Sequence, residues 1–140
     1  MKRSDNITSA VDELDPVDWS CDVVVVGLGA GGSMVFRELA RAGLDVVGVE
    51  MGEYVRPEEV TQREDEMMPR LFQESGARTT DDFSVSILQG KGVGGSTVHN
   101  TNLCKRLPAP ILEQWEAEYG LDWATSEQLR EDFAHVEELL

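Results

Sequence analysis

The 140-residue sequence is poor in the residues that staple or metallate small domains. Its two cysteines, Cys21 and Cys104, stand far apart with no C-x-x-C, which supports neither a disulfide framework nor a zinc site. Two histidines, His99 and His135, are too few ligands for a structural metal. Basic residues are scarce as well. Twelve Lys and Arg against 27 Asp and Glu give a formal net charge of −15, the wrong sign for gripping a nucleic-acid backbone or an anionic membrane. No nucleic-acid or membrane partner is therefore expected. No apolar run reaches the roughly 18 to 20 residues that a bilayer-crossing helix needs, and Met1-Lys2-Arg3-Ser4-Asp5-Asn6 lacks the apolar core of a secretory signal. The expectation is a cytoplasmic protein. Its 41% hydrophobic and 28% charged residues fit the globular class.

One absence is local. Residues 83–112 contain no acid at all, only the bases Lys91, Lys105 and Arg106, whereas 113–140 hold nine acids and one base. An acid-free stretch in so acidic a chain is a candidate neighbourhood for a bound anion, or a buried apolar segment.

Residues 1–18 are polar and weakly patterned and read as a flexible arm. Asp22-Val23-Val24-Val25-Val26 has the β-branched composition of a strand buried on both faces of a parallel sheet. Glycines follow at once. Met34, Val35, Leu39 and Ala42 then recur at helical spacing, Gly43 supplies a stop, and residues 44–50 form a second strand. This is a βαβ unit. Pro57 and Pro69 bracket a helix in the charged stretch 52–82, and the alternation of 83–88 predicts a short strand that opens into a second glycine cluster. Pro108 and Pro110 introduce a helix with Ile111, Trp115 and Tyr119 on one face, Trp115 and Tyr119 being read as core packing. Gly120 ends it. Thr125-x-x-Gln128 reads as the capping box of a last helix with Leu129, Phe133, Val136 and Leu140 in line. That helix reaches the last residue without a C-cap, which reads as a chain cut short.

Gly27-Leu28-Gly29-Ala30-Gly31-Gly32 satisfies G-x-G-x-x-G between a strand and a helix, with Glu50 closing the next strand. In that setting Gly27 permits the tight turn, Gly29 lets a pyrophosphate approach the main chain, and Gly32 brings the helix close to the strand. The helix N-terminus faces the phosphates. Glu50 has the reach and charge to accept hydrogen bonds from both hydroxyls of an adenosine ribose, and it would repel a 2′-phosphate. A ligand-free glycine turn is the competing reading. The longer spacing Gly32-x3-Phe36-x2-Leu39-x3-Gly43-x2-Val46-x3-Glu50 is similar to the adenine-dinucleotide fingerprint of flavoproteins, departing from it at Phe36.

FAD and NAD share that unit. The second cluster, Gly90-Lys91-Gly92-Val93-Gly94-Gly95-Ser96-Thr97-Val98-His99-Asn100, resembles the FAD-contacting segment of the glucose-methanol-choline (GMC) oxidoreductase family. His99 and Cys104 depart from the usual residues there. The resemblance implies an α/β, Rossmann-like FAD-binding fold over residues 19–140, the amino-terminal part of a larger enzyme that oxidises the CH–OH group of a small-molecule alcohol. It implies FAD contacts from Gly94, Gly95, Ser96, Thr97, His99 and Asn100 beside Gly27, Gly29, Ala30, Gly31, Gly32 and Glu50, and the charge of Lys91 is suited to offsetting the phosphates. Lys91 can equally be a solvated lysine, and Ser96 and Thr97 can equally be capping residues. In relatives a histidine matching His99 is bonded to the 8α-methyl carbon of the flavin, which leaves His99 as either a covalent or a hydrogen-bonding contact. The family's substrate domain and its carboxy-terminal histidine, paired with a second histidine or an asparagine, are missing from the sequence, so the chain alone is expected to lack turnover. Two other readings stay open: the NAD-binding domain of a dehydrogenase, and a non-enzymatic nucleotide-binding or acidic interaction module.

Overall fold

The computed structural model describes residues 7–9, 18–99 and 103–139. The chain forms two compact units, residues 1–100 and 101–140.

In the first unit, β1 (Val23–Val26) and β2 (Val46–Val49) pair in parallel, Val23 opposite Val46 and Val26 opposite Val49. Asp22 fixes the register, because its main chain and Oδ2 bond to both main-chain groups of Asp45. Between the strands runs α1 (Ala30–Arg41), packed on both. Its end is a Schellman motif: Gly43, at φ +88°, donates to the Ala40 carbonyl, and Leu44 donates to Leu39. The βαβ unit thus forms as expected. The expectation that β1 is buried on both faces is corrected, since Val25 is buried while Val24 and Val26 are exposed. The sheet has two strands, and α1 is the one helix packed on it among the described residues.

The charged stretch departs from its expected layout. Pro57 opens a 3₁₀ turn, Pro57–Glu59, and α2 spans Glu64–Leu71 with Pro69 inside it. A proline as the sixth residue of so short a helix removes a single ladder bond, and burial of Met67 and Leu71 holds the helix on its core side. The strand expected at 83–88 does not form. Isolated antiparallel bridges, Thr79 with Ser86 and Phe72 with Gly90, replace it.

In the second unit, α3 (Ala109–Tyr119) ends at Gly120, φ +66°, as expected. Ile111 and Tyr119 are exposed, however, so Tyr119 is not core, and Trp115 is half-buried. The cap of α4 (Glu127–Glu137) is Ser126, whose hydroxyl accepts from the Leu129 N–H at 3.2 Å. Thr125, expected to cap it, instead donates to Glu116 at 2.9 Å from within a 3₁₀ turn. Arg106 makes a bidentate pair with Glu137, at 2.7 and 2.6 Å, and lies over the Phe133 ring. Leu140 lies outside the described residues.

Candidate cofactor-binding site

The first glycine turn is built so that one side is tight and the other open. Gly27, at φ +87°, carries the ladder one residue past β1 by donating to the Val49 carbonyl at 2.7 Å. A Cβ on Gly32 would sit 1.9 Å from the Gly27 carbonyl oxygen, so α1 rests directly on the turn that feeds it. By contrast, a Cβ on Gly29 or Gly31 would meet nothing within 4 Å. Gly29 is the N-cap of α1. The positive end of the helix dipole therefore has no side-chain cap and no acid in its first turn to offset it, an arrangement suited to an anion. Ser33 steadies the turn by donating its hydroxyl to the Leu28 carbonyl at 2.7 Å, and Leu28 packs its side chain over Gly48.

Glu50 follows β2 and is half-buried. Its Oε2 accepts from the Leu28 N–H at 2.7 Å, and its Oε1 accepts from the Gly52 and Gly92 N–H groups, each at 3.1 Å. Burial pushes this carboxyl up, but the amides of Leu28, Gly52, Gly92 and Met51 outweigh burial and leave it below its ordinary value.

The second glycine loop is seated on the first by main-chain contacts. Gly94 donates to the Leu28 carbonyl at 2.7 Å and Val93 to the Glu53 carbonyl at 3.2 Å. A Cβ on Gly95 would lie 2.9 Å from the Gly29 Cα, and one on Gly52 would lie 2.4 Å from the Gly92 nitrogen. Side chains at these points would force the loops apart. Ser96 and Thr97 serve the loop itself: the Ser96 hydroxyl accepts from the Gly90 N–H at 2.9 Å, and the Thr97 hydroxyl donates to the Gly94 carbonyl at 2.6 Å.

His99 stacks on Phe72, ring centroids 3.9 Å apart, with its Nε2 buried and lacking a hydrogen-bond partner. The same nitrogen lies 2.5 Å from where a Cβ on Gly90 would be. Lys91 anchors its own N–H to the Leu71 carbonyl at 2.8 Å. Arg106 is already neutralised by Glu137 in the second unit. Asn100 lies outside the described residues. Among the described residues no cluster of ligands suits a metal, and no helix is long and apolar enough to cross a membrane.

Gly27, Gly29, Ala30, Gly31, Gly32, Glu50, Gly94 and Gly95 are thus gathered around one junction, with Ser96 and Thr97 bracing its second loop. Sequence reasoning missed Gly52 and Gly92 as donors to Glu50. Glycines immediately after the acid and inside the second cluster were the available signal. It also missed Ser33, a hydroxyl in the first turn of a helix that begins at a glycine.

The junction is thus a βαβ unit whose helix begins uncapped at a glycine turn, with an acid and a second glycine loop beside it. The comparisons with known proteins narrow the class. Residues 68–140 match the GMC oxidoreductase family, and the chain belongs to that family. It is 35% identical over 109 residues, 78% of its length, to a long-chain-alcohol oxidase of Arabidopsis thaliana, of which it covers 15%. It is 39% identical over 121 residues, 85% of its length, to an uncharacterized GMC-type oxidoreductase of Mycobacterium tuberculosis, covering 19% of that protein. With the gluconate 2-dehydrogenase flavoprotein of Pantoea cypripedii it shares 28% identity across 94% of its length, covering 24% of that relative. The chain therefore spans less than a quarter of the length of each of these proteins. No solved structure matches it.

Proposed function

We propose that this chain forms the Rossmann-like, FAD-binding part of a flavin-dependent oxidoreductase that oxidises the CH–OH group of a small-molecule alcohol. The observation that carries this reading is the seating of the second glycine loop on the open first turn, with Glu50 between them. A pyrophosphate suits the uncapped start of α1 at Ala30, Gly31 and Gly32, where Gly29 leaves its approach clear. Glu50 suits a ribose diol and opposes a 2′-phosphate. A carboxylate has about four acceptor positions, and the Leu28, Gly52 and Gly92 amides bond to this one with the Met51 amide also acting on it, so a ribose hydroxyl would compete with main-chain donors there.

Lys91, Gly94, Gly95, His99 and Asn100 border the flavin in this reading, with Ser96 and Thr97 bracing the loop. When bound, FAD would accept the hydride from the alcohol carbon. The residues of this chain bind and orient it. Removal of the hydroxyl proton needs a base, and the imidazole of the first unit, His99, is packed against Phe72, so this unit by itself is not expected to turn over. Family membership supports the flavin, and the names of the Arabidopsis and Pantoea relatives support an alcohol-type substrate.

The test is titration of FAD and of NAD into the purified chain, followed by flavin fluorescence and calorimetry. FAD should bind and NAD should not. Binding of NAD alone would favour the dehydrogenase-domain reading, and binding of neither the non-enzymatic one. Acid denaturation of the flavin-loaded protein then settles the role of His99. Colour and mass retained on the peptide containing His99 would mean a covalent bond to the 8α carbon, whereas free FAD would leave His99 as a non-covalent contact.

A further inference from the structure

Three N–H groups from separate places in the chain converge on one carboxylate: Leu28 in the first glycine turn, Gly52 just past β2, and Gly92 in the second glycine loop, 42 residues after Glu50. The closest approaches at the junction they surround include glycine against glycine, Gly95 on Gly29 and Gly52 against Gly92, which bring no side chains together. Neutral main-chain bonds run beside them, Gly94 to Leu28 and Val93 to Glu53. Hydrogen bonds to an ionised acceptor are roughly twice as strong as neutral ones. Each Glu50 oxygen also binds a different side of the junction: Oε2 holds the first turn, and Oε1 holds the second loop. Removing the charge would therefore release the two loops from each other while leaving the neutral bonds without their centre.

We propose that Glu50 is the positioning residue that pins the second glycine loop onto the first glycine turn in the free protein, before any ligand arrives. This role is separate from a contact with ribose and does not depend on the FAD reading. Its consequence is a cradle already in place, so that a ligand meets ordered amides rather than ordering them itself.

The experiment is amide hydrogen exchange by NMR on the full chain at neutral pH with no cofactor present, comparing wild type with Glu50→Gln. The glutamine keeps the shape of the side chain but turns an NH2 donor toward one of the amides. In the variant, Leu28 and Gly92 should exchange about tenfold faster, as expected for loss of hydrogen bonds to a charged group. Gly94 does not touch Glu50, yet it should accelerate with them as the loop lifts, while amides within β1 and β2 keep their protection. The Gly92 amide proton should also move upfield once its acceptor is neutral. Unchanged protection at Gly92 and Gly94 would overturn the proposal. So would uniform loss across the sheet amides, because Glu50 would then support the whole unit and not this junction.

Discussion

At the scale of single residues, the glycine turn contains its own control experiment. Gly31 and Gly32 are neighbours at the start of α1, yet a Cβ on Gly32 would strike the Gly27 carbonyl at 1.9 Å and one on Gly31 would meet nothing within 4 Å. The obstacle at Gly32 is main chain and cannot swing aside. Gly32→Ala should therefore destabilise the chain by about 1–3 kcal/mol in urea unfolding, the usual cost of overpacking. Gly31→Ala should stabilise it by up to about 1 kcal/mol, because alanine is the better helix former. If the open space belongs to the FAD pyrophosphate, Gly31→Ala will lower flavin affinity as it raises stability. Gly29→Val will abolish loading while far-UV helix content survives. Similar behaviour at positions 31 and 32 would contradict the packing described. The roles of Gly27 and Gly32 were legible in the sequence because G-x-G-x-x-G between strand and helix dictates them locally. The three amides on Glu50 were not legible, since the contact with Gly92 exists only after residues distant in the chain have met.

At the scale of elements, the helices were read more securely than the strands. The Schellman end of α1 and the Gly120 end of α3 follow from single glycines at the right place. The strand expected over 83–88 failed because its polar residues had a better local use. The Asp82 carboxylate accepts from the Thr80 hydroxyl at 2.6 Å and from the Ser84 main chain and hydroxyl at 3.1 and 2.8 Å, a turn that competes with a ladder. Phe83 beside it takes φ +57°. These bonds, the Thr80 hydroxyl foremost, hold Asp82 down from 3.8 to about 2. A carboxylate whose folded pKa is depressed supports the fold fully above its unfolded value and loses that support as pH falls through the folded one. The turn should therefore stay intact from neutral pH to about pH 4 and loosen toward pH 2. Asp82→Asn should loosen it already at pH 7. The measurement is amide exchange at Ser84 and Val85, with the β1 and β2 amides as reference. Equal protection in the variant would show that the charge is not what holds the turn.

At the scale of the whole molecule, the buried hydrophobic side chains among the described residues are few: Val25, Met67 and Leu71 in the first unit and Ala124 in the second. Composition and the valine run announced a parallel sheet covered on both faces, and among the described residues the second cover is missing because burial depends on what packs against the strand, which composition does not carry. The alternation in β1 shows this. Val25 is 9% exposed, whereas Val24 and Val26 on the opposite face are 54% and 82% exposed. Replacing each valine by threonine makes the same chemical change on both faces and keeps a residue well suited to a strand. On the open face, Val24→Thr with Val26→Thr should leave the urea midpoint within about 0.5 kcal/mol of wild type, the usual range for surface changes. Binding of a hydrophobic dye to the chain should fall, because an apolar patch has been made polar. On the covered face, Val25→Thr places a hydroxyl among apolar neighbours, and an unpaired buried hydroxyl costs about 1–3 kcal/mol. The two results together test the layering. A single threonine that costs more than two identical ones next to it requires one covered face and one open face, whereas equal costs at all three positions would mean that in solution the sheet is covered on both sides.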